Sequence, residues 1–391
     1  MSNERRRILF LNGLPIGIGG VENSIMNIYK EIDRNKLLID FIVRKPQKGY
    51  YHNEINEFGG RIFNIFENTK HKGNKKWDFL MDIYSVISFY KILKSEGPFS
   101  AVHISHPDLD GFLIIAAKLN KVPVKIIHSR NTGIDDKIQP RLMRKLIRKL
   151  RILVCKKYAT HIWGCSKAAC QYAFGDKIMD DTRAEVPHNP VYIKKFMHIP
   201  FTQMEACNRL GISSENINFV NIARYAPQKN QFFLIDFFSK MVEKRNDLHL
   251  FLTGPGPLEE KLRKYIVRLN MKDYITMLDS SVDIPLLFKA SNFQLLPSIY
   301  EGFGNVLIEA QAAGIPSFVS DACQPEPDLG LVYYIPLAKG ANYWADYILD
   351  RLDIQDNRKA DFNKLMEYDT INVAKRMQKV YLEGCKYEDI I

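Results

Sequence analysis

Residues Tyr300–Asp321 read YEGFGNVLIEAQAAGIPSFVSD. An acid, Glu301, precedes the small and permissive run Gly302-Phe303-Gly304-Asn305. Val306–Ala313 is amphipathic, Gly314 and Pro316 stop it, and Ile315–Ser320 is an apolar strand candidate. The order is loop, helix start, helix, glycine stop, buried strand. Glycines let backbone N–H groups approach a ligand closely. A helix start presents unpaired N–H groups and a positive dipole end, which suits a phosphate. Glu301 lies before the helix and Glu309 about two turns into it, so the two acids can flank one bound molecule.

The same strand–loop–helix rhythm runs through the rest of the chain. Ile8–Asn12 is a strand candidate that enters Gly13–Gly20, and Val21–Ile32 has helical spacing. This is the first unit of a nucleotide-binding-like α/β fold. The dinucleotide fingerprint G-x-G-x-x-G is not met, because Gly17 and Gly19 fit but Glu22 stands in the third place. The loop is either a packing turn or a glycine loop lining a ligand. Further strands fall at Leu37–Val43, Ile62–Phe66, Ala101–Ser105, Val122–Ile127 and Thr160–Gly164, with helices at Asp82–Ser95 and Gly111–Leu119 between them. His106 and the polar run His128-Ser129-Arg130-Asn131 follow strands, where doubly wound sheets meet their ligands. Each histidine serves either a ligand or simple capping and packing.

VPHNPV at 186–191 breaks regular structure with two prolines. It puts a domain boundary in the region 187–200, drawn at 190. Beyond it, strand Asn218–Ile222 enters a loop holding Arg224 and Lys229, and helix Phe232–Lys244 follows. Leu248–Thr253 enters Gly254-Pro255-Gly256-Pro257, then helix Leu258–Leu269. Ile275–Leu278 and Phe293–Pro297 are further strands, and Ile371–Gly384 is the last helix. Strands separated by helices indicate parallel sheets. A guanidinium fork and a mobile ammonium in one strand-to-helix loop suit a diphosphate, although surface ion pairing is the ordinary alternative.

At 391 residues and 46% hydrophobic, the chain is globular and long enough for two domains. Six scattered cysteines form no metal knuckle and read as reduced thiols. Asp108-Leu109-Asp110 matches a D-x-D metal pattern, but its place before Gly111 and a helix suits ordinary capping. The N-terminal apolar run is too short for a signal segment, and no run approaches the ~20 apolar residues of a membrane span. Residues 1–200 carry 34 Lys and Arg against 19 Asp and Glu, whereas 201–391 carry 21 against 25. The first half therefore faces something anionic. No nucleic-acid motif accompanies the basic runs, so a membrane surface is favoured. Arg141–Lys157, RLMRKLIRKLRILVCKK, is a basic amphipathic helix, suited to an anionic leaflet or to packing on a sheet.

The Tyr300–Asp321 stretch resembles the E-x7-E motif of the GT-B retaining glycosyltransferases of family 4. ARYAPQKNQ, TGPGPLEEKL and GIGGVE resemble that family's diphosphate, nucleotide and N-terminal glycine loops, and HNPVYIKKF resembles its interdomain segment. The resemblance spans nearly the whole chain and is closest to enzymes of bacterial capsular and exopolysaccharide synthesis. It implies two Rossmann-like, doubly wound parallel-sheet domains facing a cleft. Residues 1–190 would bind the acceptor and 191–370 the nucleotide sugar, with a C-terminal helix at 371–388 packing back on the first.

The implied activity is retaining, metal-independent and cofactor-free hexosyl or N-acetylhexosaminyl transfer from a UDP-sugar. The acceptor would be a saccharide or polyprenyl-linked sugar, and the enzyme cytoplasmic and peripheral on the inner membrane face. By the same resemblance, Glu301 and His128 are the catalytic-centre residues. Arg224, Lys229, Gly20, Gly304, Asn305 and Val306 hold the diphosphate, and Glu309 the ribose. Gly254 and Gly256 form the nucleotide loop, and Gly19, His106 and Asn131 lie on the acceptor side. A nucleotide-sugar epimerase and a non-enzymatic binding module are the competing readings.

Overall fold

The computed structural model describes residues 5–11, 20–44, 49–66, 78–130, 132, 142–352 and 359–390. The chain forms two compact units, Met1–Pro190 joined by Thr370–Ile391, and Val191–Asp369. The first contains β1 (Arg6–Leu11), α1 (Gly20–Glu31), β2 (Leu37–Val43), α2 (His52–Glu57), β3 (Ile62–Asn64), α3 (Asp78–Glu96) and β4 (Ala101–Ile104). It continues with α4 (Pro107–Asp110), α5 (Leu113–Leu119), β5 (Val124–Ser129), α6 (Leu142–Tyr158), β6 (His161–Gly164), α7 (Lys167–Phe174) and β7 (Ala184–Glu185). Its parallel sheet has the order β3-β2-β1-β4-β5-β6-β7.

Strands covered on both faces are apolar throughout rather than alternating. All seven residues of β2 are buried. The single charge among them, Asp40, is held by Arg7 at 2.5 Å and Arg61 at 2.7 Å. Ser166 accepts a hydrogen bond from Ala169 N at 3.1 Å and so starts α7.

The second unit runs α8 (Ile193–Met197), α9 (Gln203–Leu210), β8 (Ile217–Ile222), α10 (Gln231–Val242), β9 (Leu248–Thr253), α11 (Glu259–Arg268) and β10 (Ile275–Leu278). Then follow α12 (Ile284–Ala290), β11 (Phe293–Leu296), α13 (Asn305–Ala312), β12 (Ser317–Ser320), β13 (Val332–Ile335), α14 (Gly340–Leu352) and α15 (Phe362–Glu367). Its parallel sheet is ordered β10-β9-β8-β11-β12-β13. Val191 N donates to Tyr368 O at 2.9 Å, so the chain enters and leaves this unit side by side.

The last helix, α16 (Thr370–Glu383), belongs to the first unit. Its Val373, Ala374, Met377, Val380 and Tyr381 share one apolar core with Ile25, Met26, Ile28 and Tyr29 of α1. A second core on the other face of that sheet includes residues of α3, α5, α6 and α7. Both sheets are doubly wound, and their order reverses between β1 and β4 and between β8 and β11. Such reversal points are where open α/β sheets bind ligands.

Two local expectations change. β5 extends to Ser129, so His128 lies within the strand rather than after it. Asp108 and Asp110 sit inside the short α4, whose N-cap is His106, and cap nothing. Arg44 pairs with Asp110 instead.

Candidate active site

The second unit gathers its polar residues at the reversal between β8 and β11. After β8 the backbone is pinned to its neighbours. Ala223 N donates to Thr253 O at 3.0 Å and Tyr225 N to Pro255 O at 3.1 Å. Asn230, at φ 59°, donates from Nδ2 to Pro297 O at 3.1 Å, and Gln231 Nε2 reaches Arg224 O at 3.1 Å. Tyr225 is buried while Arg224 between these anchors is exposed, and no described residue pairs with its guanidinium.

Gly254 and Gly256 make this pinning possible. A Cβ on Gly254, whose φ is +140°, would meet Ala223 O at 2.3 Å, and one on Gly256 would meet Tyr225 O at 2.4 Å. Close backbone approach between two loops explains both glycines.

After β11, Glu301 is buried, and its Oε1 accepts from Lys229 Nζ at 2.5 Å and from Ser298 Oγ at 2.6 Å. Gln228 Nε2 donates to Tyr300 O at 2.9 Å and Ile299 N to Gln228 O at 2.8 Å. The two loops are thereby laced together. Lys229, read as a diphosphate ligand or an ordinary ion-pair partner, pairs with the buried Glu301.

Gly304, at φ +91°, precedes α13 and offers no side-chain cap. The first-turn N–H groups beginning at Asn305 and Val306 therefore lie at a helix end without a capping side chain. Glu309 lies one turn into the same helix rather than two, and is half-buried. Desolvation alone pushes its carboxyl up to about 7, and no described residue hydrogen-bonds or pairs with it. Gln311 clamps the following loop to α13 by donating to Pro327 O at 2.6 Å and accepting from Leu329 N at 2.8 Å.

In the first unit, His128 is buried and its Nδ1 lies 3.1 Å from His103 Nε2. His103 Nδ1 lies 2.9 Å from the Tyr381 hydroxyl, and Trp163 packs edge-on against both rings. Burial, reinforced by the Arg130 charge, drives both imidazoles well below their usual pKa, so both are neutral. His106 is half-buried, and its carbonyl accepts from Leu109 N at 3.0 Å and Asp110 N at 2.8 Å. Gly20 opens α1 with nothing within 4 Å of a Cβ position, so crowding does not require glycine there. Gly19, Asn131 and Arg141 lie outside the described residues. The basic helix α6 divides its apolar residues: Ile147 and Cys155 are buried, whereas Leu146, Leu150 and Leu153 are 53%, 42% and 61% exposed.

Sequence reasoning missed Ser298, Gln228, His103 and Tyr381. The first two act across loops whose register along the chain is not readable. His103 carried one usable signal, since it sits two residues before Ser105 and so shares its strand face.

The sequence profile of the family described as Glycosyl transferases group 1 matches residues 204–329. EpsF of Bacillus subtilis (strain 168), named as a glycosyltransferase, is 30% identical over 358 residues, spanning 89% of this chain and 88% of that protein. The chain belongs to the group 1 glycosyltransferases.

All the residues singled out in the second unit between Arg224 and Glu309 fall inside the matched stretch of this group 1 glycosyltransferase. An Escherichia coli protein named UDP-Gal:alpha-D-GlcNAc-diphosphoundecaprenol alpha-1,3-galactosyltransferase is 28% identical over 253 residues, 62% of each chain. The crystal structure of Anabaena HepE with UDP and glucose superposes with a TM-score of 0.73 at 17% identity, covering 97% of this chain and 100% of that one. The fold is GT-B, with one seven-stranded and one six-stranded parallel sheet. Among the described residues, no helix is long and apolar enough to cross a membrane.

Proposed function

We propose that this protein is a retaining, metal-independent glycosyltransferase of family 4. It moves a hexosyl or N-acetylhexosaminyl group from a UDP-sugar to a lipid-linked or saccharide acceptor during capsular or exopolysaccharide synthesis. The observation that carries this reading is the pair of unsatisfied groups at the β8/β11 reversal. Among the described residues, Arg224 is a cation without a partner and Glu309 a desolvated carboxyl without one. A binding site keeps such groups unsatisfied until its ligand arrives.

In this reading Glu309 accepts the two ribose hydroxyls. Arg224, Lys229, Gly20 and the N–H groups around Gly304, Asn305 and Val306 receive the diphosphate. Lys229 bridges two anions, the donor and Glu301, and so couples donor binding to the position of Glu301 beside the sugar. As the diphosphate leaves, negative charge grows where the cations and helix end already point, so no metal or other cofactor is needed. The acceptor hydroxyl attacks from the leaving-group side. Residues 1–190 supply the acceptor side, with His106, His128, Gly19 and Asn131. The names of EpsF and of the diphosphoundecaprenol-directed relative support the polysaccharide setting, and the UDP complex of HepE supports the donor. The exposed leucines and basic residues of α6 support a peripheral position on the anionic inner leaflet.

The test is transfer from radiolabelled UDP-sugars to a polyprenyl-diphosphate-linked saccharide. Glu309→Ala and Arg224→Ala should each lower the rate at least about 100-fold, in line with losing a group that holds transition-state charge or substrate, and EDTA should leave it unchanged. Loss of activity in EDTA, restored by Mn²⁺, overturns metal independence. An epimerised donor appearing without acceptor overturns transfer.

A further inference from the structure

The first unit buries more polar groups at the carboxyl ends of β4 and β5 than it satisfies. Ser105, His128 and Arg130 are 0%, 1% and 7% exposed. Ser105 Oγ, His128 Nε2, and both Nε and Nη2 of Arg130 have no hydrogen-bond partner among the described residues. Strand parity, carried one residue past the end of each strand, puts Ser105 on the face of His103 and Arg130 on the face of His128. The His103–His128 hydrogen bond shows that the two rows share that face. It is the face covered by α1 and α16, since Tyr381 of α16 bonds His103. Ser105 N donates to Leu11 O at 3.1 Å, which places Ser105 at the sheet's order reversal.

A buried guanidinium with unsatisfied N–H groups is a costly arrangement for a fold to keep. The carboxylate that acts on Arg130 is Glu22, in the first turn of α1. The two imidazoles are neutral, so Arg130 carries the cation of the cluster. His128 Nε2 is the free end of the Tyr381–His103–His128 chain, a donor or an acceptor according to the tautomer of the two rings. Ser105 supplies a hydroxyl. One fixed cation, a hydroxyl and an imidazole nitrogen free to bond, near the first turn of a twelve-residue helix, form a cradle for an oxyanion.

We propose that Arg130, Ser105 and His128 form a phosphate- or diphosphate-binding subsite within the first unit, distinct from the Arg224 loop of the second. The anion comes either from a polyprenyl diphosphate acceptor or from the nucleotide donor. Only this choice of source rests on the transferase reading above; the anion subsite does not.

The experiment measures the thermal stability of the full-length protein with inorganic pyrophosphate, farnesyl diphosphate and UDP. Pyrophosphate is tested in the Arg224→Ala background, which removes one of the two cations of the second unit's loop. There it should still stabilise the protein. Arg130→Met should abolish that response and raise the melting temperature without ligand, because a buried charge with unsatisfied N–H groups is removed. Arg130→Lys should restore part of the response, and Ser105→Ala should weaken it several-fold. A lower ligand-free melting temperature in Arg130→Met, with the pyrophosphate response intact, overturns the subsite and makes Arg130 structural. Loss of the farnesyl diphosphate response in Arg130→Met with UDP retained assigns the anion to the acceptor. Loss of the UDP response assigns it to the donor. If Arg224→Ala leaves UDP binding unchanged, the donor-site reading fails while the Arg130 result stands.

Discussion

Glu301 and Glu309 have seven residues between them in one loop-helix unit, yet their surroundings are opposite. Glu301 has Lys229 and Ser298 on one oxygen, whereas Glu309 has only desolvation, which raises it to about 7. A carboxyl raised above its unfolded value adds stability that is full below about pH 4.5 and is lost as pH rises through 7. Glu309→Gln should therefore match the wild type near pH 4.5 and become more stable than it by pH 8. Each tenfold change in proton affinity is worth about 1.4 kcal/mol, so the gain is at most about 3 kcal/mol. Denaturant midpoints across pH 4.5–8 check this, and a pH-independent difference counts against it. Lys229→Met should instead destabilise by about 3 kcal/mol, because it removes the cation that pairs with a buried carboxylate. Arg224→Ala, at an exposed and unpaired position, should stay within about 0.5 kcal/mol of the wild type. Comparable losses in both variants would mean that Arg224 has a structural partner. The spacing of the two acids was legible in the sequence. Their difference was not, because Lys229 and Ser298 reach Glu301 from separate loops, and only the sheet order brings those loops together.

Elements with long apolar periodicity declared themselves, whereas their purposes were less visible. The Gly-Pro-Gly run at 254–256 looked like a ligand loop, and its glycines turn out to admit the backbone of Ala223 and Tyr225. That contact is between strands' outgoing loops and leaves no mark on local sequence. The two-residue β7 and the four-residue β13, both at sheet edges, are too short for alternation to be read. For α6 the structure bears out packing on the sheet for only part of its wide apolar face, which is split. Ile147 and Cys155 pack inward while Leu146, Leu150 and Leu153 remain exposed beside Lys145 and Lys149. Full burial of a leucine side chain is worth about 1.5–3 kcal/mol, so changing these three to glutamine should weaken binding to vesicles rich in anionic lipid more than tenfold. Neutral vesicles should bind the wild type poorly, since each basic residue near an anionic surface adds about 1 kcal/mol. Sedimentation with the two vesicle types decides. Equal binding of wild type and variant would show that the exposed leucines serve something other than lipid.

At the scale of the whole chain, the two-part organisation was legible from the prolines at 187 and 190 and from the shift in charge between halves. The destination of the last helix is a tertiary fact, carried by apolar residues that would suit any core. In the structure, Val373, Ala374, Met377, Val380 and Tyr381 of α16 complete the core over β1, β2 and β4 with α1. Tyr381 also ends the buried His103–His128 chain, and His161 Nε2 lies 3.1 Å from Cys385 O. The second unit, by contrast, is one continuous segment whose entry and exit are hydrogen-bonded to each other. It is built as an insertion, and the first unit is the host that must close around both chain ends. A fragment of residues 191–369 should therefore unfold cooperatively and keep a UDP-dependent rise in melting temperature, lost in Arg224→Ala. A fragment of residues 1–190 should not. Without α16 it exposes the apolar side of α1 and leaves His103 without Tyr381, so it should bind a hydrophobic dye and melt without a sharp transition. Joining residues 370–391 to 1–190 through a flexible linker should restore cooperative melting. A sharp transition in 1–190 alone would show that α16 packs on a core that is already complete.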